Sequence, residues 1–321
     1  MKTRRLGETE LEFSTVGLGT WAMGGAAWKF SWGPQDDNDS IKAIHCAVDL
    51  GVNWIDTAAV YGLGHAEEVV GRALKSMRTR PLIATKCGLC WNQQGEILGR
   101  LKKDSVRTEV EASLQRLSVD VIDLFQIHWP NPEEDLEEAW SAIATLINEG
   151  KVRYAGVCNF SVAQLKRIQS IHPVASLQPP YSMMLRGAEQ ELMPYCAVNK
   201  IGIVVYSPLQ KGLLTGKITR EWVRQLPLDD HRRNDPQFQD PQLSANLELV
   251  DGLRQVAKKS GCSLAELAIK WVLRRPEITS AIVGARKPSQ IEETVKGADG
   301  IISNENLIAI EALLEKPATV G

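Results

Sequence analysis

The chain has 321 residues, 44% hydrophobic and 24% charged, enough to bury a large core. A formal net charge of −2 gives no bulk attraction to nucleic acid or an anionic membrane, and no apolar run approaches the roughly 18 residues of a membrane span. The basic segment 1–10 lacks the apolar stretch of a secretory signal, and six cysteines in a chain this long suit a reducing compartment, so a cytoplasmic location is expected.

Strand-like apolar runs alternate with helical patterns from the start. Residues 4–13 read as strand, Gly turn and strand, which predicts a hairpin, and 16–19 form a short strand. A helix is expected from about Ser40, with Ile41, Ile44, Val48 and Leu50 near helical spacing. A strand at 54–56, a helix over 66–74 and a strand at 82–86 follow. The next helix, 105–117, takes Ser105 as its N-cap. A strand at 121–128 leads into a helix over 136–148 that stops at Gly150. After a strand at 155–157, Ser161 opens a helix, and 176–178 precedes another near 189–199. Residues 202–206 and 281–283 are the seventh and eighth strands. The irregular stretch 211–244 between them has the length of a functional lid or a disordered segment.

Eight short Val- and Ile-rich strands, each followed by helical sequence, predict an α/β fold: a (β/α)8 TIM barrel closed below by the N-terminal β-hairpin. No linker, charge block or repeat divides the chain, so residues 1–321 read as a single domain.

Polar residues of definite chemistry stand at the strand exits. Asp56 ends the second strand, and Tyr61 follows it by five residues. Lys86 ends the third strand and His128 the fourth. Each alone has an ordinary reading: a helix cap, a loop aromatic, a solvated strand end, a hydrogen-bonded core imidazole. In a parallel barrel all these exits share one face, where barrel enzymes collect their chemistry. A phenol has a reference pKa near 10, and a neighbouring ammonium held by a carboxylate pulls that value down. Such a group suits protonation of a carbonyl oxygen becoming an alkoxide.

Other motifs carry less. Gly17-Leu-Gly-Thr-Trp-Ala22 matches a dinucleotide fingerprint, but no helix opens after it, so a Rossmann reading is rejected. Cys87 and Cys90 lack a second ligand pair for structural zinc and read as reduced thiols near a pocket. The five histidines show no metal-binding spacing, so no metal is expected. Trp21, Trp28, Trp32, Trp91 and Trp129 fall in expected exit loops and suggest an aromatic-walled substrate pocket.

Asp56-Thr-Ala-x-x-Tyr61-Gly62, Lys86 and the strand-ending His128 together resemble the aldo-keto reductase superfamily. The resemblance extends through Val119-Asp-Val-Ile-Asp-Leu-Phe-Gln-Ile-His128 and Gly150-Lys-Val-Arg-Tyr-Ala-Gly-Val-Cys-Asn-Phe-Ser161. It continues in Tyr206-Ser-Pro-Leu-x-x-Gly212-Leu213 and Val283-Gly-Ala-Arg-Lys-Pro-Ser-Gln-Ile-Glu-Glu293. It is nearest to the branch holding bacterial reductases and the β-subunits of potassium channels. It implies a barrel that binds NADPH/NADP+ without a Rossmann domain and reduces a small-molecule carbonyl. Tyr61 would be the general acid, assisted by Lys86 and Asp56, with His128 orienting the carbonyl.

The same resemblance implies a cofactor groove. Asn159 and Gln178 would hold the nicotinamide carboxamide, with Cys158 where the family usually has Ser. Tyr206 would stack on the nicotinamide ring. Ser207, Leu209 and Gly212 would form the pyrophosphate loop, with Pro208, Leu213 and Lys217 as further cofactor contacts. Gly19, Thr20, Trp21, Asp56 and Gly284 would line the groove. Arg286 would contact the 2′-phosphate, and Gln290 and Glu293 the adenosine, with Thr294 where many members have Asn. A basic pair at a helix start opposes the helix dipole, which an anionic ligand at Arg286 would rationalise. Two rival expectations are a redox-sensing partner protein like the channel β-subunits, and a barrel isomerase or aldolase with Lys86 as a Schiff-base amine.

Overall fold

The computed structural model describes residues 1–26 and 28–315. A hairpin of β1 (Thr3–Arg5) and β2 (Glu12–Ser14) leads into β3 (Val16–Gly19), α1 (Asp37–Asp49), β4 (Trp54–Asp56), α2 (His65–Leu74) and β5 (Leu82–Cys87). A second hairpin, β6 (Leu89–Trp91) with β7 (Ile97–Gly99), precedes α3 (Lys103–Leu117), β8 (Ile122–Ile127), α4 (Leu136–Asn148) and β9 (Val152–Cys158). Then come α5 (Val162–Gln169), β10 (Ser176–Gln178), α6 (Leu192–Val198), β11 (Gly202–Val205), α7 (Arg220–Arg224), α8 (Gln242–Lys259) and α9 (Leu264–Leu273). The last elements are β12 (Ile278–Gly284), α10 (Pro288–Thr294) and α11 (Asn304–Leu314).

Strands β3, β4, β5, β8, β9, β10, β11 and β12 form a closed parallel barrel, β12 returning to pair with β3 through Ala281↔Val16 to Gly284↔Gly19. These are the eight strands expected from the sequence, and the N-terminal hairpin is present. Every residue of β8 is buried, as a strand covered on both faces requires.

The period of two along each strand builds the interior in layers. Trp54, Ala84, Leu124, Val204 and Ile282, from five strands, form an apolar plug with Leu6, Leu11 and Phe13 of the hairpin region. Phe13 stacks on Trp54 with ring centroids 4.4 Å apart. Gly17 makes room for that indole: a Cβ there would lie 2.1 Å from Trp54 Cε2. The first glycine of the rejected fingerprint thus has a packing role. Two residues further along the same inward faces stand Asp56, Lys86, Gln126, Tyr206 and Gly284, so the layer above the plug is polar.

Some boundaries differ from the sequence reading. Helix α1 begins at Asp37 rather than near Ser40, capped by Asp36, whose carboxylate accepts from the Asp39 amide. Helix α3 begins at Lys103, and Ser105 lies within its first turn, its hydroxyl donating to Glu109 rather than capping. Ser161 does cap α5, in a reciprocal box with Gln164. The stretch 211–244 is neither open loop nor one element. It holds α7 and short 3₁₀ turns at Gln210–Thr215, His231–Asn234 and Pro236–Phe238, gathered on Leu213, Ile218, Phe238 and Leu243. Among the described residues no helix is long and apolar enough to cross a membrane.

Candidate active site

The exits of β4, β5 and β8 bring the four expected residues together. Lys86 is 1% exposed and Asp56 2%, so this is a buried ion pair. The Lys86 ammonium donates to both Asp56 oxygens, at 2.8 and 2.5 Å, and to the Thr57 carbonyl at 2.8 Å. It also donates to the Tyr61 hydroxyl at 3.4 Å. Burial by itself would lower the Lys86 pKa, but the Asp56 carboxylate outweighs it and holds the ammonium charged. Removing either partner would strand a buried charge, a loss of about 3–5 kcal/mol.

Tyr61 sits on a tight turn, its amide donating to the Ala58 carbonyl. The turn closes on Gly62, at φ 61°, where a Cβ would lie 2.1 Å from the Gly24 carbonyl oxygen. That contact presses the loop after β3 against the phenol. Trp21 stacks on the Tyr61 ring at 6.2 Å, Trp28 lies 6.1 Å away, and His128 meets it edge-on at 5.7 Å. Burial pushes the Tyr61 hydroxyl up to about 12; Lys86 pulls against this and Asp56 adds to it. The ammonium therefore acts in the expected direction, but burial wins, and the phenol is held protonated. Burial and the nearby ammonium hold His128 well below the usual imidazole value, so its ring is neutral and can donate a hydrogen bond.

A hydrogen-bonded chain extends from this cluster. Asn159, in left-handed backbone at φ 63°, donates to the His128 carbonyl at 3.0 Å and accepts from the Tyr206 hydroxyl at 2.9 Å. Gln178 donates to Asp56 at 2.9 Å and to the Gln126 side-chain carbonyl at 3.4 Å. The Cys158 thiol also points to Gln126, at 3.7 Å, into the barrel interior. Gln126 was not singled out from the sequence. Only closure of the barrel shows that it shares the inward face with Lys86 and Asp56.

At the exit of β3, the Thr20 amide and hydroxyl both donate to the Asp56 carbonyl, and Gly19 pairs with Asp56 and Gly284. Trp21 donates its indole N–H to the Phe30 carbonyl. After Tyr206 the chain winds tightly, with left-handed backbone at Ser207, Gln210, Lys211 and Gly212. Pro208 is buried, Leu209 packs on the main core, and the Leu213 side chain lies in the satellite core. Lys217 pairs with Glu293 at 2.6 Å. Arg286 donates to three oxygens of the loop 32–35 (Trp32 O, Pro34 O and Gln35 Oε1). Gln290 accepts from the amides of Arg286 and Lys287, and the buried Thr294 hydroxyl donates back into its own helix.

Trp91 ends β6 of the unforeseen hairpin, under the Arg116 guanidinium, and Trp129 is 45% exposed. The aromatic wall is instead Trp21, Trp28 and Trp32, with His231 stacked on Trp21 at 5.2 Å. Cys87 is buried against the Gln126 carbonyl and Cys90 lies beside Ser105. Among the described residues no group of three metal-binding side chains occurs.

A model of the Aldo/keto reductase family matches residues 15–315. The aldo-keto reductase YhdN of Bacillus subtilis (strain 168) is 38% identical over 318 residues, spanning 98% of this chain and 94% of that protein. An NADH-specific methylglyoxal reductase of Escherichia coli (strain K12) is 33% identical over 329 residues, spanning 98% and 99%. A glycerol dehydrogenase structure from Gluconobacter oxydans superposes with a TM-score of 0.88 at 39% identity, covering 98% of this chain and 95% of that one.

Proposed function

This chain belongs to the aldo/keto reductase family, and from that premise we propose that it reduces an aldehyde or ketone to an alcohol with NADPH, Tyr61 supplying the proton. The observation that carries the reading is one ammonium, Lys86, bridging the Asp56 carboxylate and the Tyr61 hydroxyl, with a neutral His128 ring against the same phenol. When bound, the nicotinamide supplies the hydride. Tyr61 holds its proton at the phenol oxygen and releases it to the carbonyl oxygen as negative charge develops there. His128 donates a hydrogen bond that orients that oxygen. Lys86, held in place by Asp56, fixes the donor and favours the phenolate that remains.

The residues fit such a cofactor. Arg286 is a half-buried guanidinium whose side-chain donors, among the described residues, meet only neutral oxygens, which suits a further anion. Asn159 and Gln178 stand beside the catalytic cluster with side-chain amides, as a carboxamide requires. The Cys158 thiol, turned toward Gln126, contributes less. The direct test is consumption of NADPH and NADH with a panel of aromatic aldehydes and quinones. We expect carbonyl-dependent oxidation of NADPH; no oxidation of either cofactor with any carbonyl refutes the reading.

Lys86 gives a second test through pH. Alcohol oxidation, the reverse reaction, needs the phenolate as base, so its rate rises with pH toward the Tyr61 pKa. Losing an adjacent positive charge raises that pKa by about one unit or more. Lys86→Met should therefore move the rise to higher pH and lower the rate at any fixed pH below it. An unchanged pH profile with activity retained would make Lys86 purely structural.

A further inference from the structure

The loop after β3 carries three of the nine tryptophans, and two of them, Trp21 and Trp28, face the Tyr61 ring. Its position decides which aromatic rings face the phenol. On one side the loop is packed on the 211–244 stretch. The Arg232 guanidinium, ion-paired with Asp230, lies 4.3 Å over Trp32, and the His231 amide donates to the Ser31 carbonyl at 2.9 Å. On the other side it meets β12's exit through a reciprocal clasp. Arg286 Nε donates to Gln35 Oε1 at 2.6 Å, and Gln35 Nε2 donates back to the Arg286 carbonyl at 3.0 Å. The same amide reaches Ser40 Oγ at 3.0 Å, tying the clasp to the first turn of α1. Arg286 adds bonds to the Trp32 and Pro34 carbonyls. Of the five N–H donors a guanidinium owns, three hold the loop and two have no partner among the described residues.

We propose that Gln35 is a positioning residue: clasped to Arg286, it fixes the tryptophan loop against Tyr61 and so sets how tightly the carbonyl substrate is held, without touching that substrate. The proposal rests on the reading of the Tyr61 site as a carbonyl reductase. Gln35 is a side chain of the loop's far end, and its partners are backbone, Ser40 and Arg286. Its loss should act on binding by the wall and not on the proton donor, whose own bonds run to Lys86. Binding lost equally from ground and transition states raises KM and leaves kcat nearly unchanged.

The test is steady-state kinetics at saturating cofactor for the wild type, Gln35→Leu and Gln35→Glu. Leucine keeps the approximate bulk and removes every clasp bond; glutamate keeps an acceptor for Arg286 Nε. Gln35→Leu should raise the carbonyl KM about 3- to 10-fold, with kcat and the cofactor Kd each within about twofold. Gln35→Glu should restore most of the KM. An unchanged KM in Gln35→Leu overturns the proposal, as does a parallel rise of KM and cofactor Kd in both variants. Should the wild type reduce no carbonyl, the catalytic reading fails by itself. Acrylamide quenching of tryptophan fluorescence in the cofactor-free protein then decides the clasp: greater quenching in Gln35→Leu supports it, and equal quenching overturns it.

Discussion

Tyr61→Phe is expected to bind NADPH as the wild type does and to lose carbonyl reduction by about 10²-fold or more, the scale of a general-acid contribution. The substitution removes one oxygen and keeps the ring. Trp21, Trp28 and His128 all contact that ring, so the pocket wall stays in place. Lys86 loses its most distant acceptor, at 3.4 Å, and retains Asp56 and Thr57. The buried ion pair therefore survives, and the fold with it. What disappears is the proton donor. Because burial holds the phenol up at about 12, the wild type keeps that proton across the neutral and mildly alkaline range. Reduction should accordingly show no basic limb from Tyr61 below about pH 10. Fluorescence titration of cofactor and single-turnover reduction in the same variant separate binding from chemistry. Near-normal turnover in Tyr61→Phe would remove Tyr61 from the mechanism.

The barrel was legible because its strands obey a simple constraint. A strand covered on both faces is an apolar run, and β8, buried throughout, reads as one even with Asp123 and Gln126 inside it. The gathering of Asp56, Lys86 and His128 at one end of the barrel was legible because each ends such a run. Gln126 was not, since one glutamine within an apolar run says nothing about direction until closure shows which face is inward. The β6–β7 hairpin was missed because it stands outside the barrel, so neither face pattern nor alternation marks its three-residue strands. The 211–244 stretch looked irregular because turns of three to six residues are too short to show a helical period. Least legible was the clasp. Gln35 and Arg286 are 251 positions apart in sequence, and nothing around either residue points to the other.

That clasp bears on cofactor choice. NADPH differs from NADH by one phosphate, so a preference must come from a group that meets that phosphate alone. A guanidinium does so through charge-assisted hydrogen bonds of about 1.5–3 kcal/mol. Arg286→Ala should then weaken NADPH binding about 10- to 100-fold, since about 1.4 kcal/mol is a factor of ten, and leave NADH binding almost unchanged. The variant also opens the loop clasp, so its carbonyl KM should rise with either cofactor. Gln35→Leu supplies the control: it opens the clasp and keeps the guanidinium, so its NADPH affinity should match the wild type. Fluorescence titration of both cofactors against the three proteins gives the comparison. If Arg286→Ala weakens NADH and NADPH equally, Arg286 serves only the loop and the case for NADPH loses its main support. A wild type that already binds NADH more tightly would replace NADPH by NADH in the proposed reaction while leaving the proposed roles of Tyr61, Lys86, Asp56 and His128 unchanged.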